Sequence, residues 1–204
     1  FKMLKKKIGK KIRKNVFFIG SLKGNNTKKL KIRNKNSFLV IPEGIYSECE
    51  TLFKFTLDLA KKNKCFNFIW RVHPVIDFNK VLNNLNLKKI NLPKNIILSS
   101  NKFEDDACRC QYVIYNGSAA VIKSVVMGNY PIYLNSLNEK NFDPLIYLFD
   151  KKNYVSNEKD FLNLLKKIRI KKHKKEFRNK ILTLKKDNFS KPDLQKIHKT
   201  LKIN

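Results

Sequence analysis

Five short runs of β-branched and aromatic residues recur between residues 37 and 150, each followed by a longer segment of helical period. They are Ser37–Ile41 (SFLVI), Phe66–Val72 (FNFIWRV), Asn95–Leu98 (NIIL), Gln111–Tyr115 (QYVIY) and Pro131–Leu134 (PIYL). None of them alternates apolar with polar. A strand wetted on one face alternates, whereas one covered on both faces is apolar throughout, so these runs predict a parallel sheet between two layers of helices. Five strands joined by four crossovers make a doubly wound α/β domain. Right-handed crossovers put its ligand crevice at the carboxyl ends of the strands, where the strand order reverses.

The helices between the strands carry their own signals. Ser47-x-x-Glu50 predicts a capping box before a helix over Thr51–Asn63, and Asn101-x-x-Glu104 another before Phe103–Arg109. A weaker helix is expected over Val75–Leu87, after Pro74. Ser118–Met127 is apolar nearly all round and is followed by Gly128, which predicts a buried crossover helix with a glycine stop.

The flanks read differently. Residues 1–36 hold one strand candidate, Val16–Ile19, and otherwise read as a linker or the remnant of an upstream domain; the first residue is Phe rather than Met, so an upstream part is expected. Residues 37–150 are the α/β domain, and residues 151–204 a basic helical tail. In that tail, residues 158–186 predict one or two Lys-rich amphipathic helices with Phe161, Leu164, Leu165, Ile168, Phe177 and Ile181 on the apolar side, and a short last helix is expected beyond Pro192.

Charge follows the same division. The net charge is +29, from 45 Lys and Arg against 16 Asp and Glu, yet the first 36 residues carry +14, the last 54 carry +13, and the middle only +2. A nucleic-acid binder is the obvious class for such a total. Against it stand 39 Lys and only 6 Arg, where direct readout favours the bidentate guanidinium, and the lack of any nucleic-acid-binding motif. No apolar run approaches the roughly 18 residues that span a bilayer. The chain is therefore read as cytoplasmic, with its basic tail suited either to an anionic membrane surface at the inner face or to packing against another domain. Cys49, Cys65, Cys108 and Cys110 are too few for a disulfide framework. They are read as buried or half-buried thiols, and no metal is assigned because His73, His173 and His198 are scattered.

Three segments could carry chemistry. Arg71-Val72-His73-Pro74 closes the second strand; Pro74 ends the ladder, so Arg71 and His73 fall on the carboxyl rim, where a guanidinium and an imidazole can meet a phosphate. The alternative is that Arg71 pairs with a surface carboxylate and His73 caps a turn. Asn116-Gly117-Ser118-Ala119 joins the fourth strand to its helix, with Gly117 for a tight turn, Ser118 to cap, and small side chains that leave the first amides open to an anion. Glu43-Gly44 follows the first strand as a binding or catalytic candidate. Glu104, Asp105 and Asp106 are expected simply to complement a helix dipole.

In this order the segments resemble the carboxyl-terminal nucleotide-sugar-binding domain of a GT-B glycosyltransferase. The His-Pro pair is similar to the motif with which bacterial sialyltransferases and Kdo transferases hold a CMP-sugar, and R-x-H-P also resembles teichoic-acid glycerophosphotransferases. The resemblance covers about residues 37–150. It implies a nucleotide-sugar donor and no other cofactor, with Arg71 and His73 near the phosphate or ribose and the Gly117–Ala119 amides on a phosphate. Where many UDP-sugar enzymes carry a ribose-binding Glu, five residues before the helix-ending glycine, this chain has Lys123. Lysine cannot accept a hydrogen bond, so a CMP-sugar is favoured over a UDP-sugar. The implied acceptor is a surface glycan or a lipid-linked one. The acceptor site and catalytic base belong to an amino-terminal domain in this family, so no catalytic residue is assigned. Nucleotide-sugar 2-epimerases share the architecture and are the other enzymatic reading.

Overall fold

A computed structural model describes residues 34–88, 91–136, 142–189, 194–195 and 198. The strand expected at Val16–Ile19 lies outside these residues, as does most of the segment beyond Pro192. The chain divides into two compact units, Thr27–Lys180 and a second made of Phe1–Asn26 with Ile181–Asn204. The sheet and all of the candidate residues belong to the first.

The elements run β1 (Ser37–Ile41), α1 (Tyr46–Lys62), β2 (Asn67–Trp70), α2 (Phe78–Asn84), β3 (Ile96–Leu98), α3 (Phe103–Arg109), β4 (Tyr112–Tyr115), α4 (Ala120–Val126), β5 (Tyr130–Leu134), α5 (Ile146–Phe149), β6 (Tyr154–Val155), α6 (Glu158–Ile168) and α7 (Lys171–Asn188). The six strands are all parallel, in the order β3-β2-β1-β4-β5-β6. This is a doubly wound, Rossmann-like α/β sheet followed by a helical carboxyl-terminal tail. The five expected strands are present within a residue or two, and β6 is an addition. Every residue of β1, β4 and β5 is buried, as their unbroken apolar sequences require.

Register builds the core. Phe38 of β1 lies opposite Phe68 of β2 and Tyr112 of β4, and their rings stack at 5.1 and 4.9 Å. Phe161 of α6 closes over this row at 5.3 Å from Phe38. On the same face, Phe53 of α1 stacks on Trp70 at 4.3 Å, and the Trp70 Nε1–H donates to Thr56 Oγ1 at 2.9 Å, so the buried indole is satisfied. Each such ring pair adds about 0.5–1.5 kcal/mol to what burial alone provides.

The helix ends depart from expectation in one consistent way. α1 starts at Tyr46, behind Ile45, with no side-chain cap: Ser47 lies inside its first turn, and Glu50 instead accepts from Asn84 Nδ2 at 2.6 Å. α3 has the expected span but no side-chain cap either: Glu104 pairs with Lys123, and Asn101 donates to Asp106. Neither capping box forms, since the cap positions fall at Ile45 and Lys102 rather than at Ser47 and Asn101, and both acids find tertiary partners instead. α4 is shorter than expected and begins behind Ala119, so Ser118 is not its cap. Its glycine stop does form: Gly128, with φ 95°, donates to Val125 O at 2.8 Å and Asn129 donates to Ser124 O at 3.1 Å. These two bonds are a Schellman end.

Candidate functional site

The strand order reverses between β1 and β4, and the loops leaving these strands, Pro42–Ile45 and Asn116–Ala119, form the two sides of the crevice at their carboxyl ends. Adjacent residues of the first loop face opposite ways. Gly44 faces the β2 turn: a Cβ there would stand 3.1 Å from His73 Nδ1 and 2.9 Å from Val75 Cγ2. Glu43 faces the β4 turn, where a Cβ on Gly117 would stand 2.6 Å from its Oε2. The Pro-Glu-Gly loop therefore ties the R-x-H-P turn to the N-G-S turn.

Gly117 is glycine for two reasons. Its φ of 78° lies in the left-handed region, and the side-chain space is filled by the carboxylates of Glu43 and Glu48, the latter at 3.0 Å. Glu48 is buried in the first turn of α1. Sequence reading missed it, and its position as the one acid in that turn gives no hint that it faces a loop 69 residues away. Two carboxylates thus converge on the backbone of the expected phosphate turn. Beyond it, Ser118 N–H donates to Asn116 O at 3.0 Å, and the amides of Val121 and Ile122 donate to Ser118 O and Ala119 O. The first turn of α4 is therefore tight, of the i to i+3 kind. Asn116 and Ser118 are buried, while Ala119 is exposed at the helix start.

On the other side of the crevice, Arg71 Nη1 donates to Asp106 and, at 2.8 Å, to the carbonyl of Asn101. Asp106 is fully buried and receives Asn101 Nδ2 at 3.2 Å as well. A guanidinium carries five N–H donors, and these bonds all leave from one nitrogen. Lys123 pairs with Glu104, whose carboxyl is held below its usual range by the hydrogen bond from Lys123 and, to a smaller degree, by the Arg71 charge. Arg71 and Lys123 also stand 5.7 and 5.9 Å from the centre of the Phe103 ring. The acidic segment of α3 thus supplies the counter-charge of both rim cations, a role beyond complementing its own dipole.

His73 lies three residues beyond the end of β2, with its Nδ1 accepting from Val75 N–H at 3.4 Å. Its carbonyl accepts from Ile76 N–H at 2.9 Å. Farther along the rim, Tyr115 donates to Asp143 Oδ1 at 2.8 Å and Asn153 Nδ2 donates to Tyr115 at 3.3 Å, all three side chains being buried. Burial, first, and the Asp143 charge push the Tyr115 hydroxyl well above its usual range. Cys49, buried beneath Glu43, donates to the Glu43 carbonyl at 3.6 Å and is pushed up to about 12 by desolvation and the neighbouring Glu48 and Glu50. Among the described residues no three His, Cys, Asp or Glu side chains are grouped to hold a metal, and no helix is long and apolar enough to cross a membrane.

No protein-family model and no curated protein matches the sequence. Solved structures do match the fold. A glycosyltransferase of kitacinnamycin is similar over 83% of this chain and 45% of its own, with a TM-score of 0.56 and 11% identity. The UDP-GlcNAc 2-epimerase of Methanocaldococcus jannaschii is similar over 89% of this chain and 58% of its own, with a TM-score of 0.50 and 14% identity. The chain therefore spans about half the length of the structures it resembles, and what it shares with them is the fold.

Proposed function

We propose that the chain is the donor-binding half of a glycosyltransferase that moves a sugar from a nucleotide-sugar to a surface-polysaccharide or lipid-linked acceptor. The observation that carries the reading is the Glu43–Gly44 step, which brings His73 to one side of the switch-point crevice and the Gly117 turn to the other. A bound nucleotide-sugar would span the two. Arg71 and His73 would take its phosphate. The exposed carboxylate of Glu43 would accept hydrogen bonds from ribose or sugar hydroxyls, a division supported by the two carboxylates against Gly117, which disfavour an anion at that turn. Asn116, Ser118 and Ala119 would shape the floor beneath it.

A CMP-sugar suits this rim better than a UDP-sugar. Arg71 is shared with Asp106 and Lys123 with Glu104, so the crevice offers little surplus positive charge for a diphosphate. A second α/β domain would supply the acceptor site and the catalytic base, and the reading carries a cytoplasmic location with it. Isothermal calorimetry of the chain with CMP, CDP and UDP tests the proposal. Dissociation constants of about 1 μM to 1 mM are expected, the range usual for enzyme substrates. If none of the three binds, or if His73→Ala leaves binding unchanged, the reading is wrong. A 2-epimerase is the second reading, favoured by the carboxylate of Glu43 and the imidazole of His73 standing on the two sides of one loop at the crevice; analysis of products from a UDP-sugar separates epimer from transferred sugar.

A further inference from the structure

Between Lys166 and Lys175 the chain has seven Lys or Arg residues and no acidic one. α6 ends at Ile168 and α7 begins at Lys171, so this charge is folded into the corner between two helices. The corner has a firm mounting. Arg169 donates to Asn36 Oδ1 at 3.1 Å and also acts on the Tyr112 hydroxyl, Ile168 is buried, and Phe177 of α7 packs on Tyr130 at 4.9 Å. Its outward surface is different in kind. Lys166, Lys167, Lys174 and Lys175 are exposed, and at the apex Ile170 is 55% exposed. A large β-branched side chain held out in water amid lysines is not explained by packing within the sheet unit.

We propose that this corner is a peripheral membrane-binding surface: Ile170 enters the boundary between headgroups and acyl chains, and the four exposed lysines engage anionic headgroups. The two kinds of side chain fit the two layers of such a surface, apolar tip below and cationic collar at the phosphate level. A nucleic acid would satisfy the lysines but gives the exposed isoleucine nothing to bury against. The aromatic residues that could stack on bases, Tyr130 and Phe177, pack on one another instead. Lysine is also the better match to a fluid lipid surface, where point charges suffice and a bidentate fork adds little. This inference stands apart from the donor-site reading and survives if that reading fails.

The test is co-sedimentation of the full chain with vesicles of phosphatidylcholine alone and of phosphatidylcholine with about 30% phosphatidylglycerol, near physiological ionic strength, since Debye screening sets how far the lysines act. Binding to the anionic vesicles only is expected. Ile170→Ser, which keeps the charge, should weaken it about fivefold or more. Lys166→Gln with Lys167→Gln should weaken it by about fivefold for each lysine. Lys54→Gln with Lys61→Gln, which removes the same charge from the exposed side of α1, should change little, and circular dichroism checks that each variant is folded. Equal binding to both vesicles, no effect of Ile170→Ser, or an equal loss in the α1 control would overturn the proposal. So would complete displacement of the vesicles by a DNA duplex with Ile170→Ser binding both as the parent does, which would assign the corner to nucleic acid.

Discussion

The carboxylate of Glu43 occupies the space where any residue other than glycine at position 117 would place its Cβ, 2.6 Å from Oε2. The acid of the loop after β1 thus lies against the turn after β4, while its neighbour Gly44 leaves room for His73.

Gly117→Ala should lower stability by about 1–2 kcal/mol for the left-handed backbone alone, and more for displacing Glu43. Gly44→Ala meets an exposed valine side chain and the His73 ring, which have room to yield, and should cost under about 1 kcal/mol. Urea denaturation of the two variants checks the ranking; equal losses would mean that the Glu43 contact is not fixed.

Arg71→Leu removes the main partner of a fully buried carboxylate. A loss of about 2–4 kcal/mol is expected, and adding Asp106→Asn should restore a good part of it, because an unpaired buried charge costs more than an absent pair. A double-mutant cycle by denaturation measures this, and strict additivity of the two substitutions would contradict the pairing.

The alkaline limb of stability should carry the signature of Cys49. Its folded value, raised to about 12 from the ordinary 9.0, means that the folded protein holds a proton that the unfolded chain releases first. That contribution is complete below pH 9 and is lost as pH rises toward 12. Cys49→Ala should flatten this slope. In thiol-labelling at pH 8, the exposed Cys65 should react at least about a hundredfold faster than Cys49.

On the acid side, Glu104 is held below its usual range, so its bond to Lys123 stabilises the fold above the unfolded carboxyl value and is lost as pH falls through the folded one. Both side chains are more than 40% exposed, so water and salt screen the pair. Lys123→Ala should therefore shift stability at neutral pH by less than about 0.5 kcal/mol. A thermal-melt series from pH 3 to 7 would show whether the acid slope, small as it is, disappears with the lysine.

The sheet was legible because burial on both faces writes itself into consecutive residues: SFLVI is β1 to the residue. β6, only Tyr154 and Val155, is too short to leave a pattern, and it forms because β5 offers it a ladder. The capping boxes misled because the helices start one or two residues away from the spacing they need, behind Ile45 and Lys102, which leaves Glu50 and Glu104 to distant partners in Asn84 and Lys123. The candidate residues were legible as rim positions from the strand ends, whereas their pairings were not. Arg71 with Asp106, and Glu43 with Glu48 on Gly117, are set by how three loops meet, and nothing in the spacing of those residues records it.

In the proposed binding mode, a nucleotide lies in the crevice between β1, β2 and β4 with its hydroxyls at Glu43 and its phosphate at Arg71 and His73. Calorimetric titration of CMP and of 2′,3′-dideoxy-CMP into the parent chain and into Glu43→Gln tests it most directly. CMP should bind the parent at least about tenfold more tightly than the dideoxy compound, a gap of about 1.4 kcal/mol, and Glu43→Gln should close most of that gap. If the parent binds CMP but the gap is the same in Glu43→Gln, or if neither compound binds, the account of this site is contradicted.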